Sequence, residues 1–110
     1  MTLNDKQHIF AMNLAKLLQH VESLGVTCSV GEVYRTQEQA EIYVKEGKGI
    51  LYSQHCKNLA VDLQLFSNGV FLQDKKDYQL LGEYWESLDA FNIWGGRFPR
   101  VDLVHFEMKC

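Results

Sequence analysis

Three stretches of this 110-residue chain carry side chains able to do chemistry: Arg35 with Gln39, residues 53–62 (SQHCKNLAVD), and residues 94–107 (WGGRFPRVDLVHFE). Within them His55, Asp62 and His105 supply two imidazoles and one carboxylate. Zinc takes such nitrogen and oxygen donors, and a catalytic zinc keeps three protein ligands and one position open to water. Manganese or cobalt would also fit such a set. Asp102 stands three residues before His105, which in a regular strand puts the two on opposite faces. A bend near Leu103 is therefore required if both are to face one point. Given that bend, Asp102 is the candidate general base, taking a proton from a water that zinc acidifies towards a pKa of roughly 7. Arg35, always charged, suits either the oxyanion of a tetrahedral intermediate or a substrate carboxylate.

Each residue also has a plain reading. Arg35 alone would be a surface partner of Glu32 or Glu38. Trp94 is as well suited to plugging the core edge as to lining a substrate. Glu107 shares a strand face with His105 and is either a hydrogen-bond acceptor behind that ring or a solvated charge. Cys56 is expected to pack as a small apolar group rather than compete for metal. His8 and His20 sit on a helix with no carboxylate motif nearby and are read as ordinary helix residues.

The elements that must position these groups are legible in the hydrophobic spacing. Ile9, Phe10, Met12, Leu14, Leu17, Leu18 and Val21 recur at three- and four-residue intervals, predicting a helix over 4–24 that Gly25 ends. Residues 26–34 read as a strand. Thr36 caps a second helix to about residue 46, closed by Gly47 and Gly49. Residues 59–66 alternate, with Leu59, Val61, Leu63 and Leu65 on one face and Ala60, Asp62 and Gln64 on the other. Small Ala60 leaves room beside Asp62 for a metal and substrate, and His55 reaches the same point from the preceding loop. Asn68-Gly69 predicts a tight hairpin turn into a short strand at 70–72. Residues 76–91 form a third helix, and a last strand spans about 104–108. The pattern is a compact α+β fold, residues 1–110 forming one domain, with a small, largely antiparallel sheet packed against helices.

Composition excludes several classes. A net charge of -3 argues against nucleic-acid binding. No apolar run approaches the roughly 20 residues of a membrane span, and no signal peptide is visible, so the expectation is cytoplasmic synthesis without membrane insertion. Cys28, Cys56 and Cys110 form no even disulfide set and no C-x-x-C pair, which suits reduced thiols.

Four motifs in order over residues 33–107 resemble the metallopeptidase family of D-alanyl-D-alanine carboxypeptidases, dipeptidases and phage L-alanyl-D-glutamate endolysins. Ser53, His55, Ala60 and Asp62 match its S-x-H-x-x-G-x-A-x-D pattern, and Asp102, His105, Phe106 and Glu107 its D-x-x-H-F-E ending. Arg35, Thr36 and Gln39 match R-[ST]-x-x-Q, while Trp94, Gly95 and Gly96 resemble the W-G-G of the endolysin branch. Asn58 replaces the family's glycine, and asparagine is the residue after glycine that best tolerates a left-handed backbone. The resemblance implies a Hedgehog/DD-peptidase-like fold, Zn2+ held by His55, Asp62 and His105, and Asp102 as base. It implies substrate contacts from Arg35, Ser53, Gln39 and Trp94. The implied activity is hydrolysis of a stem-peptide amide in peptidoglycan, with the L-alanyl-D-glutamate endopeptidase of phage or prophage as the best fit. Such an enzyme would be a monomer acting on the cell wall or in the periplasm, exported with the help of a holin. Two alternatives stand: a D,D-carboxypeptidase or dipeptidase, and a non-catalytic wall-binding or morphogenetic domain with a structural zinc.

Overall fold

In a computed structural model the described residues are 1–48 and 54–110, with the side chains of Gln54 and Cys56 outside the description. Helix α1 spans Leu3–Ser23, and its start is set by a capping box: Thr2 Oγ1 accepts from the Asp5 N–H while the Asp5 carboxylate accepts from the Thr2 N–H. Phe10, Asn13, Leu17 and Val21 form its buried stripe, the three- and four-residue spacing of one helix face. Strand β1 (Thr27–Val30) follows, then α2 (Gln37–Lys45), whose N-cap is Thr36, its hydroxyl accepting from the Gln39 N–H. Gly47 ends α2 with a positive φ, while Gly49 lies outside the described residues.

A short 3-10 turn, Gln54–Lys57, leads into β2 (Ala60–Ser67), the long strand at the centre of the sheet. Leu59, Val61, Leu63 and Leu65 are buried in the core, while Asp62 and Gln64 on the other face are half-buried. The Asn68-Gly69 turn has φ of +51° and +79°, the paired positive values of a tight hairpin, and returns the chain as β3 (Val70–Phe71). Helix α3 (Lys75–Leu88) buries Tyr78, Leu81 and Trp85. It is followed by β4 (Asn92–Trp94), a 3-10 turn at Gly95–Arg97, and β5 (His105–Met108).

Among the described residues the order is β1-β2-β5-β4, with β3 on β2, and every pairing is antiparallel. The α+β architecture read from the sequence is the one observed. Strand β4 was not anticipated, since three residues are too few to show alternation. Trp85 ties the layers together: its ring meets Phe10 of α1 and Phe106 of β5 edge-on, and its Nε1 donates to the Glu107 carbonyl at 2.9 Å. No helix among the described residues is long and apolar enough to cross a membrane.

Candidate metal centre

The antiparallel register sets Asp62 of β2 directly opposite His105 of β5. The neighbouring hydrogen bond runs from Leu63 N–H to the Val104 carbonyl, so Asp62 and His105 occupy a site where facing side chains stand closest. On the other side of β2 the ladder is irregular. Gly31 N–H donates to the Asp62 carbonyl at 2.7 Å, but Asp62 N–H donates to Glu32 rather than to Gly31. Two residues thus oppose one, a bulge that bends the chain beyond β1 and re-aims Glu32.

His55 comes from the 3-10 turn before β2, which Asn58 leaves with a φ of +57°, the left-handed conformation its side chain tolerates. The ring is almost wholly buried. Its Nδ1 lies 3.1 Å from the Val33 carbonyl, an acceptor only, so that nitrogen carries the proton and Nε2 turns to Asp62 Oδ1 at 3.3 Å. His105 is held the same way from the opposite side: Nε2 meets Glu107 Oε1 at 2.8 Å and Nδ1 faces Asp62 Oδ1 at 3.4 Å. One nitrogen of each imidazole is anchored by an oxygen acceptor and the other points at the same carboxylate, the arrangement that orients metal-ligating histidines.

One potential ligand atom from each of His55, Asp62 and His105 falls within 4.8 Å of the others. Asp62 Oδ1 is buried and accepts no well-formed hydrogen bond, although two ring nitrogens stand close to it. A positive charge belongs among these atoms, either an extra proton or a divalent cation. The charge balance says the same. Burial works against ionising Asp62, yet His105 and His55 outweigh it and hold its carboxyl down at about 2. Burial works against charging His105, yet Asp62 and Glu107 outweigh it and push the ring up to about 9. Two nitrogens, each ring supported from behind, and one carboxylate oxygen fit a zinc-type cation.

Asp102 sits at the rim. Its carbonyl accepts from His105 N–H at 3.3 Å, closing a turn through Leu103 and Val104, the bend the sequence required. Its N–H donates to Gly95 at 3.0 Å. A Cβ on Gly95 would lie 2.2 Å from the Asp102 carbonyl and 2.9 Å from His105 Cβ, so only glycine admits this turn. Desolvation raises the Asp102 carboxyl above its ordinary value; His105 lowers it, Asp62 raises it, and His55 and Arg35 lower it. Those are the charges the carboxyl faces.

Arg35 is mostly buried. Its Nε donates to Glu32 Oε1 at 2.8 Å, its guanidinium carbon lies 4.9 Å from the Tyr43 ring centre, and its backbone N–H donates to the His55 carbonyl at 3.1 Å. Gln39 is half-buried in the first turn of α2. Ser53 lies outside the described residues, as does the side chain of Cys56. Trp94 corrects an expectation: it is 0% exposed, its ring is pressed between Gly82 and Gly96, and Nε1 donates to Leu103 at 2.8 Å. It presents no surface to a substrate and instead props the turn that carries Asp102. Sequence reasoning also undervalued Glu32, weighed only as a surface partner. The bulge that turns it inward has no sequence signal beyond Gly31.

The chain's fold is similar to that of the L-Ala D-Glu endopeptidase ChiX from Serratia marcescens, with a TM-score of 0.66 and 24% identity over 76% of this chain and 68% of that one. Comparison with curated proteins returns no match. The family model described as D-alanyl-D-alanine carboxypeptidase matches residues 46–108, a segment that contains His55, Asp62, Asp102 and His105. That match covers more than half of the sequence, and the chain belongs to this family of peptidoglycan peptidases.

Proposed function

We propose that the protein is a zinc-dependent endopeptidase that hydrolyses the L-alanyl-D-glutamate bond of the peptidoglycan stem, in the manner of a phage lytic enzyme. The observation that carries this reading is the convergence of His55, Asp62 and His105 within 4.8 Å, each imidazole anchored from behind. A zinc ion held by these three would supply Lewis acidity, polarising the amide carbonyl and lowering the pKa of water. Asp102, exposed at the rim and with its pKa raised, is suited to take a proton from the attacking water and pass it to the leaving amine. Arg35 offers positive charge for a carboxylate next to the scissile amide, such as the one D-glutamate carries. The similarity of fold to an L-Ala D-Glu endopeptidase favours this bond.

A second reading keeps the chemistry and moves the bond to the D-alanyl-D-alanine end, favoured by the description of the matching family model. Digestion of purified peptidoglycan followed by mass spectrometry separates the two. New D-glutamate amino termini support the first, and released D-alanine supports the second. Asp102→Ala tests catalysis itself: zinc retained with hydrolysis lost is expected, whereas undiminished hydrolysis removes Asp102 from the mechanism.

A further inference from the structure

We infer that Glu32 is a positioning residue that presents the free edge of Arg35 to a substrate carboxylate, an inference that rests on the proposed function above. Glu32 lies on the bulge opposite Asp62, and its side chain is only 23% exposed. Its Oε1 takes both Nε and Nη2 of Arg35, so the side edge of the guanidinium is occupied by the protein itself. The guanidinium carbon also sits over the Tyr43 ring, 4.9 Å from its centre. A guanidinium has five N–H donors in a rigid fork, and with the side edge taken, its terminal edge is the one still able to grip a carboxylate with two parallel bonds.

The same segment is wired to the ligands. Glu32 accepts Asp62 N–H at 2.9 Å through its carbonyl, Val33 accepts from His55 Nδ1 at 3.1 Å, and Arg35 N–H donates to the His55 carbonyl. Anchoring and metal support are nevertheless separable. The Val33 carbonyl is nearer to His55 Nδ1 than Glu32 Oε1, which stands 3.7 Å away. Removing the Glu32 carboxylate therefore releases Arg35 while leaving His55 its partner.

The test uses Glu32→Ala, Glu32→Gln, Arg35→Ala and the double variant Glu32→Ala/Arg35→Ala, all in the full chain. Glu32→Ala is expected to raise KM for a stem-peptide substrate about 10- to 100-fold, the worth of one charge-assisted hydrogen bond, with kcat falling less than about threefold. Zinc affinity should move by less than about threefold, since the Val33 carbonyl remains. Glu32→Gln keeps an oxygen for Nε and should restore most of the lost KM. In the Arg35→Ala background, removing Glu32 should add less than about twofold, because the residue it orients is gone. A readout free of activity is the Arg35 Nε–H resonance in a 15N spectrum. It is expected in the wild type and in Glu32→Gln, to be lost in Glu32→Ala, and to shift on titration with N-acetyl-D-glutamate.

Equal KM effects of Glu32→Ala with and without Arg35, or a loss of zinc affinity as large as the rise in KM, would overturn the inference. So would an Arg35 resonance that survives in Glu32→Ala. Failure of the wild type to cleave peptidoglycan would instead sink the proposed function, and the resonance would still decide whether Glu32 orients Arg35.

Discussion

At the scale of single residues, the site is a set of charges arranged so that none is stable alone. The carboxylate of Glu107 behind His105 both orients the ring and makes it more basic, and partners of that kind typically hold 10- to 100-fold in metal affinity. Glu107→Ala is therefore expected to weaken zinc binding by about that factor, measured by competition with a chromophoric chelator. Protonation gives a second prediction, for the metal-free protein. His105, pushed up to about 9, stabilises the fold fully below its ordinary 6.5 and loses that contribution as pH rises through 9. Asp62, held down at about 2, stabilises above its ordinary 3.8 and loses that contribution as pH falls towards 2. Melting temperatures of chelator-treated protein should thus be highest between those two ordinary values and fall on both sides. Zinc must displace the His105 proton, so its apparent affinity should climb with pH up to about 9. An affinity flat from pH 6 to 9 would contradict this.

At the scale of elements, two local conformations decide whether the ligands meet. The turn before β5 needs Gly95, whose added Cβ would collide with backbone that has nowhere to go. Gly95→Ala should cost about 1–3 kcal/mol of stability, the usual range for overpacking, and should weaken zinc binding as well because His105 is displaced. Denaturant titration beside metal binding checks both. The left-handed residue before β2 gives a contrasting pair. Asn58→Gly should be close to neutral, whereas Asn58→Val should destabilise by roughly 1–2 kcal/mol, since a β-branched side chain clashes at positive φ.

At the scale of the whole molecule, a cation held by this site would be linked to the fold. His55 arrives from the turn before β2, Asp62 from near the start of β2 and His105 from β5, so one ion would pin the β2 region to a strand far along the sequence. Chelation should lower the melting temperature and zinc should restore it, because binding to the native state alone adds to its stability. The sequence by itself determined the helices, the central strand with its buried and polar faces, the Asn68-Gly69 hairpin and the residues with metal-ligand chemistry. These are local: periodicity, caps and turn residues report on a few neighbouring positions. The left-handed Asn58 followed instead from the resemblance, in which a glycine stands at that position, and the bend after Asp102 from the demand that Asp102 and His105 face one point. Only the tertiary structure decided that Asp62 faces His105 across a register, that Trp94 is buried under the site rather than exposed in it, and that Glu32 turns inward to Arg35. Each depends on pairings between distant strands. Such pairings are set by the summed packing of the core, which no single stretch of sequence encodes.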